Sequence, residues 1–522
     1  MYVGFIYWGK PSLLAHVLSS TLLGVDAYLV QVETDISDGS SAYNTVGLPD
    51  SAIKESKDRV TAAIKNSDLH FPSSRITINL APADIRKEGS AFDLPIALGI
   101  LAATGQIDAD NLNGVITVGE LALDGRIRPV NGSLPIALSA KSNQLTSFLL
   151  PQENAKEVAM VDGIDIYPVE NLQQVVHFLN GKSTIPPFSY NSQAELKKQS
   201  QYNIDFADVK GQEHAKRAIE VAAAGGHNII MIGPPGSGKT MIAKRVPTVL
   251  PDMNMSESLE TTKIHSILGL INDRMPLIAT RPFRSPHHTI SDAGLIGGGR
   301  IPKPGEVSLS HHGVLFLDEL PEFRRNVLEV MRQPLEDGEV TISRASAALT
   351  YPSDFMLVAA MNPCPCGFFG DTSRNCQCNS EQIKRYVSKI SGPLLDRIDI
   401  QIEVPAVKYQ DLADSTIGEP SVDIRQRVQA ARSIQVDRFT EANIHSNASM
   451  RPKEIRQYCQ VTESAQDLLR VALDQLGLSA RAYDRILKVS RTIADLDHSP
   501  NIRPVHVSEA IQYRSLDRNY WQ

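Results

Sequence analysis

HNIIMIGPPGSGKTMIAKRV, residues 227–246, runs from an apolar stretch through a glycine-rich turn into a helical stretch. Ile229, Ile230, Met231 and Ile232 form a short apolar run of the kind found in buried parallel strands. The turn GPPGSGKT, residues 233–240, consists of Gly233, Pro234, Pro235, Gly236, Ser237, Gly238, Lys239 and Thr240. Gly236 and Gly238 let the backbone fold so that its N–H groups face phosphates, and the following helix adds the positive end of its dipole. In this pattern the Lys239 ammonium reaches the β and γ phosphates and the Thr240 hydroxyl serves Mg²⁺. The expectation is a strand–loop–helix unit binding a nucleoside triphosphate, with ATP and Mg²⁺ as the cofactors.

Working outward, GVLFLDEL at 313–320 repeats the logic of an apolar strand, now ending in two carboxylates. Beside a phosphate loop, Asp318 is expected to hold the metal and Glu319 to orient and deprotonate the attacking water. A third apolar strand, FMLVAAMN at 355–362, ends at Asn362, whose amide suits a lytic water or a γ-phosphate, although Asn before Pro is also a common turn residue. SGPLLDRIDI at 391–400 presents Arg397, and LSARAYDRIL at 478–487 presents Arg481. Both guanidiniums suit a γ-phosphate, being permanently charged planar forks, and both equally suit a surface ion pair.

At 522 residues the chain exceeds one ordinary core and predicts two or three domains. Charged residues make up 21% and apolar residues 42%, and no run is long enough to span a bilayer, so no membrane partner is expected. The apolar opening 1–25 raises a leader peptide, but Lys10 and Pro11 interrupt it; translation starting near Leu13 is the other reading. A net charge of −7 confines any nucleic-acid contact to a local patch. Four of the five cysteines crowd into 364–378, unlike a secreted disulfide framework, and a reducing cytoplasm fits better. The reading divides the chain into an N-terminal α+β domain at 1–180, a polar linker at 181–205, a parallel-sheet α/β core at 206–404 and a helical region at 405–522.

RPFRSPHHTISDAGLIGGGRIPKPGEVSLSHHGVLFLDELPEF at 281–323, MRQPLEDGEVTISRA at 331–345 and SGPLLDRIDI give the chain a resemblance to the magnesium-chelatase-like branch of AAA+ ATPases. Over its whole length it resembles the ComM/YifB family within that branch. The resemblance implies a central P-loop AAA+ domain and a C-terminal helical lid. It makes Asn362 the sensor asparagine, Arg397 an arginine finger acting on a neighbour's ATP, and Arg481 the sensor-2 arginine. A finger in trans implies a homo-oligomeric ring, expected to be a hexamer.

The insertion at 281–303 carries Arg281, Arg284, Arg300 and Lys303 against one acid, Asp292, and its Gly297-Gly298-Gly299 run permits a mobile tip. It is either an ordinary solvated loop or a loop gripping DNA phosphates in the ring's pore. The hairpin-like stretch 338–355, with Arg344 near its turn, is a second candidate. His287, His288, His311 and His312 raise a metal site, but no partners are evident and structural hydrogen bonding is the better reading. In CPCGFFGDTSRNCQC the pairs Cys364/Cys366 and Cys376/Cys378 suit tetrahedral Zn²⁺; reduced thiols and a redox role are the alternatives.

KEGSAFDLPIALGIL at 87–101 and GELALDGRIRPVNGSLPIALSA at 119–140 resemble the Lon protease-domain-like fold. Lon-type peptidases use a Ser-Lys dyad. Matching the motifs puts Ala91 at the nucleophile and Leu134 at the lysine, and Ser90, one place away, does not repair the dyad. Proteolysis is therefore not expected, leaving a scaffold for assembly or DNA contact. The leading expectation is an ATP-driven motor on single-stranded or branched DNA, resembling the family's branch-migration helicase role in recombination. A chelatase ATPase subunit and a protein-remodelling ATPase are the alternatives.

Overall fold

A computed structural model of the chain describes residues 14–522, apart from 273, 300–301, 345–346, 372–373, 408–417, 441–443, 477–479, 517–519 and 522. Arg300 and Leu13, both named above, lie outside the described residues. The chain divides into two compact units, Met1–Gln199 with Ser258–Ile278, and Ser200–Glu257 with Ala279–Gln522.

The first unit is built on a seven-stranded mixed sheet in the order Ala42–Val46, Arg75–Ala81, Asp26–Ser37, Leu14–Leu23, Val115–Thr117, Ser147–Pro151, Asp165–Val169. Its centre is a long antiparallel hairpin in register from Leu14↔Asp35 to Leu23↔Asp26, with Gly24 in the left-handed region at φ +66°. Asp26–Ser37 also pairs antiparallel with Arg75–Ala81 on its other side. DLPIALGILAA, Asp93–Ala103, is buried on every side, as its unbroken apolar composition requires. Its only charge, Asp93, accepts two hydrogen bonds from Arg59 of the helix Ser51–Asn66, at 2.6 and 3.0 Å.

The division departs from the sequence reading at one place: Ser258–Ile278, assigned above to the nucleotide core, belongs to the first unit. Leu259 packs against the first unit's core, and polar bonds add to it. Ser266 Oγ donates to the buried carboxylate of Glu157, and the Gly132 amide donates to the Ser266 carbonyl at 3.1 Å. The expected linker is also partly ordered, with a helix at Ser192–Gln199.

In the second unit five parallel strands run in the order Phe283–Arg284, Val314–Leu317, Met356–Met361, Ile229–Ile232, Ile400–Glu403. Parallel strands share one carboxyl edge, and ligands of open α/β sheets bind there. Three strand ends singled out from sequence are therefore neighbours: the acids after Leu317, Asn362 after Met361, and the phosphate loop after Ile232. The C-terminal helices Ser421–Arg438, Pro452–Tyr458, Glu463–Leu476, Ala480–Leu496 and Pro504–Gln512 share one apolar core with this sheet. A buried polar joint crosses the same core: His227 bonds Asp399 at 3.0 Å and Thr492 at 2.8 Å.

Candidate nucleotide site

The loop is held open by its glycines. Gly236 and Gly238 sit at φ +79° and +90°, and a Cβ at Gly233 would lie 2.0 Å from the Val404 carbonyl. The Lys239 ammonium is curled into the loop, donating to the carbonyls of Gly233 (2.7 Å) and Pro234 (2.9 Å), to Ser237 Oγ (3.4 Å) and to Asn362 Oδ1 (3.3 Å). Burial lowers its pKa and Asp318 works in the opposite direction. It is a cation held by neutral carbonyls, which a polyanion would displace.

Thr240 Oγ1 donates to Asp318 Oδ2 at 2.8 Å, so the hydroxyl and carboxylate expected to share Mg²⁺ already converge. Glu319 follows in the left-handed region at φ 54°, which turns its side chain away from the strand direction. Its carboxylate lies 3.2 Å from His288 Nδ1. His288 thus belongs beside the candidate lytic acid, whereas residue pattern alone gave it only a structural role; SPHH carries no signal for that pairing. His311, by contrast, has the expected structural bond, Nδ1 accepting from the Asp354 amide at 3.0 Å.

The two arginines are occupied elsewhere in the chain. Arg397 donates to the Pro393 carbonyl at 2.7 Å and pairs with Glu336, leaving its buried Nε without a partner. Glu336 is pulled below the ordinary carboxylate range by Arg397. Arg481, largely exposed, pairs with Asp396 at 3.0 Å. Sequence reasoning missed Gln212, whose Nε2 donates to the Pro405 carbonyl at 2.7 Å and reaches Ser237 O of the loop at 3.4 Å. It borders a cavity of about 650 Å³ that His214, Ile402, Pro405 and Leu516 also line.

The basic insertion is corrected in two places. Arg281 is half-buried in bonds to the Pro251 and His312 carbonyls and to Glu257, and Arg284 is gripped by both oxygens of Glu306 at 2.6 and 2.7 Å. Both cations are partly buried and already paired with carboxylates of the chain. Lys303 and Arg344 are exposed, and they stand on hairpins that pack together. The Tyr351 hydroxyl donates to Pro302 O at 2.7 Å, and a Cβ at Gly298 would lie 3.2 Å from Arg344 Nη2.

The four crowded cysteines converge. Cys364 Sγ lies 3.4 Å from Cys366 Sγ and 3.6 Å from Cys376 Sγ, and all four sulfurs lie within 4.8 Å of one another. These gaps are far above a disulfide bond and near the ~3.8 Å edge of a tetrahedron with ~2.3 Å zinc–sulfur bonds. Amides of Cys366, Phe369 and Cys378 donate to sulfurs at 3.3–3.4 Å, the outer-shell pattern that suits thiolate ligands.

In the first unit, Leu134 is fully buried, Ser90 Oγ donates to Glu120, and the buried Lys87 donates to the Pro82 carbonyl. The serine hydroxyl is bonded to an acid and not to a lysine.

A five-stranded parallel sheet bearing a phosphate loop, an adjoining acid pair and an asparagine strand end is the arrangement of a magnesium-chelatase-like AAA+ domain. Three family descriptions match in series: "Subunit ChlI of Mg-chelatase" over 32–154, "Magnesium chelatase, subunit ChlI" over 205–412 and "Magnesium chelatase, subunit ChlI C-terminal" over 418–514. The chain is 45% identical over 514 residues to Competence protein ComM of Haemophilus influenzae, covering 97% of this chain and 98% of that one. It is 44% identical over 513 residues to the uncharacterized protein YifB of Escherichia coli, with the same coverage. A stretch of 127 residues, 24% of this chain and 22% of the other, is 29% identical to Lon protease 2 of Bacillus subtilis. The chain belongs to the ComM/YifB family of magnesium-chelatase-like AAA+ proteins. Membership implies an ATPase with ATP and Mg²⁺ as ligands, and a tendency to oligomerise. Among the described residues no helix is long and apolar enough to cross a membrane.

Proposed function

We propose that this chain is an ATP-driven motor acting on single-stranded or branched DNA in the cytoplasm, assembled as a ring of identical subunits. The observation that carries the reading is the convergence of Lys239, Thr240, Asp318, Glu319 and Asn362 on one sheet edge, in a chain alike end to end to a protein named for competence. Residues 233–240 would hold the phosphates of ATP, and the cavity beside Gln212 would take its base. Lys239 exchanges its carbonyl partners for phosphate oxygens. Thr240 and Asp318 hold Mg²⁺, which when bound offsets charge on the phosphates. Glu319 accepts a proton from water as the water oxygen bonds to the γ-phosphorus and the bond to the bridging oxygen breaks; Asn362 fixes the water or the γ-phosphate. Arg397, released from Glu336, completes the neighbouring subunit's site, and Arg481 leaves Asp396 for the γ-phosphate of its own.

DNA meets the paired hairpins through Lys303 and Arg344, whose contacts are phosphate-directed and salt-sensitive. The first unit is a Lon-like scaffold without peptidase chemistry, and 405–522 acts as the lid. Cys364, Cys366, Cys376 and Cys378 hold Zn²⁺, which contributes rigidity and no chemistry. The test is the steady-state ATPase rate with and without forked and single-stranded DNA, for wild type, Lys239→Ala and Arg344→Ala. DNA stimulation that vanishes in the first variant and weakens in the second is expected. Hydrolysis indifferent to every DNA overturns the DNA reading and favours the chelatase role that the matched family names carry.

A further inference from the structure

The cysteine cluster rests directly on the phosphate loop. Gly367, inside the first turn of the cluster, is buried at φ +87°, and a Cβ there would meet Pro235 Cδ at 2.7 Å and Cγ at 2.8 Å. Its backbone is therefore in van der Waals contact with the second proline of GPPGSGKT. The turn is closed by the Gly367 amide donating to the Cys364 carbonyl at 2.9 Å, and Cys364 itself is fully buried. Two residues upstream of Cys364, Asn362 accepts from Lys239 Nζ. The Pro363 carbonyl between them accepts from the Tyr520 hydroxyl at 2.7 Å. The same short segment thus touches the loop twice, at Pro235 and at Lys239.

Among the described residues from Cys364 to Cys378 there is no strand or helix, so their shape depends on the sulfur cluster and on a few turns. Four thiolates without an ion would repel one another; one divalent ion turns that repulsion into the strongest constraint in the segment.

We propose that a zinc ion in the four-cysteine site acts as a clamp on the phosphate loop, making nucleotide affinity depend on metal occupancy. This rests on the zinc reading given above and extends it from local rigidity to control of the ATP site. With the ion in place, Gly367 supports Pro235 and Asn362 is held against Lys239, so the loop is preorganised for phosphate. Without it, the turn lifts, and binding must first order the loop.

The full-length protein is purified without added metal, its zinc content is measured, and binding of a fluorescent ATP analogue with Mg²⁺ is titrated before and after treatment with 1,10-phenanthroline, which strips zinc and spares Mg²⁺. One zinc per chain is expected, with analogue affinity falling at least about tenfold on stripping and returning on zinc addition. Protein that binds no zinc overturns the metal site itself. Protein that binds zinc but keeps its affinity after stripping overturns the clamp and leaves the metal site standing. Gly367→Ala retains all four thiolates and forces the turn off Pro235: zinc retained with weakened analogue binding is expected, and zinc retained with undiminished binding overturns the Gly367–Pro235 route.

Discussion

The two units bury charge for different ends. In the first, Asp93 and Glu157 are sunk among fixed partners. Asp93 takes both Arg59 donors and the Leu121 amide, and Glu157 takes Ser133, Leu134 N and Ser266. Each carboxylate ties a helix to its surroundings, and no ligand is needed to satisfy it. In the second, the residues proposed for the chemistry are held by partners that a ligand would replace: Lys239 by two carbonyls, Glu319 by His288, Arg397 by Glu336, Arg481 by Asp396. A charge with permanent partners is architecture, whereas one with exchangeable partners marks a candidate site.

Four substitutions test that contrast. Lys239→Ala should reduce ATP hydrolysis by about 10³-fold or more, because its ammonium is the cation seated in the loop, while leaving hydrogen-exchange protection of the sheet intact. Loss of protection together with activity would make Lys239 architectural. Arg397→Ala should cut hydrolysis by about 10³-fold with little change in nucleotide affinity. Mixing it with Lys239→Ala subunits should restore some activity, since each supplies what the other lacks; no restoration would place the finger in cis.

Glu157 should show the opposite signature. Burial among neutral partners raises its carboxyl pKa, so the folded chain binds a proton where the unfolded chain does not. That stability is present in acid and is lost as pH rises through the folded pKa. Protection of the helix Ser133–Ser142 should decline from acid to neutral pH, and Glu157→Gln should flatten the decline by about 1 kcal/mol without touching ATPase rate. A profile unchanged by the substitution would show that Glu157 is not the titrating group. The smallest effect belongs to His288→Ala: its pairing with Glu319 is partly exposed, so basal hydrolysis should change by about fivefold or less. A larger drop would make His288 part of the machinery itself.

Much of the second unit was legible because its signals are local. An apolar strand, a glycine turn and a strand-end acid each occupy a few consecutive residues, and parallel strands then bring their ends together without further instruction. Partnership was not legible. Arg284 reads as a free cation until Glu306, 22 positions on, is seen to grip it, and Arg281 meets Glu257 from 24 positions away. Ser258–Ile278 carries no boundary signal, since what ties it to the first unit is the packing of Leu259 on a distant core and a bond from Ser266 to Glu157, 109 positions back. Gln212 hid in plain polar sequence, its positive φ of 59° being a property of the fold and not of the letter. The cysteine spacing gave the sulfurs as two close pairs but was silent on the loop beneath them.

Asp396 and Arg397 are adjacent, yet each is satisfied by a different element, Arg481 of the helix Ala480–Leu496 for one and Glu336 for the other. If Arg481 swings to a phosphate in its own subunit, the Asp396 carboxylate is left without that partner beside Arg397, the arginine proposed to serve the next subunit. One vacated carboxylate would then carry news of ATP from one subunit to its neighbour, and the order in which the sites fire would be written into two consecutive residues.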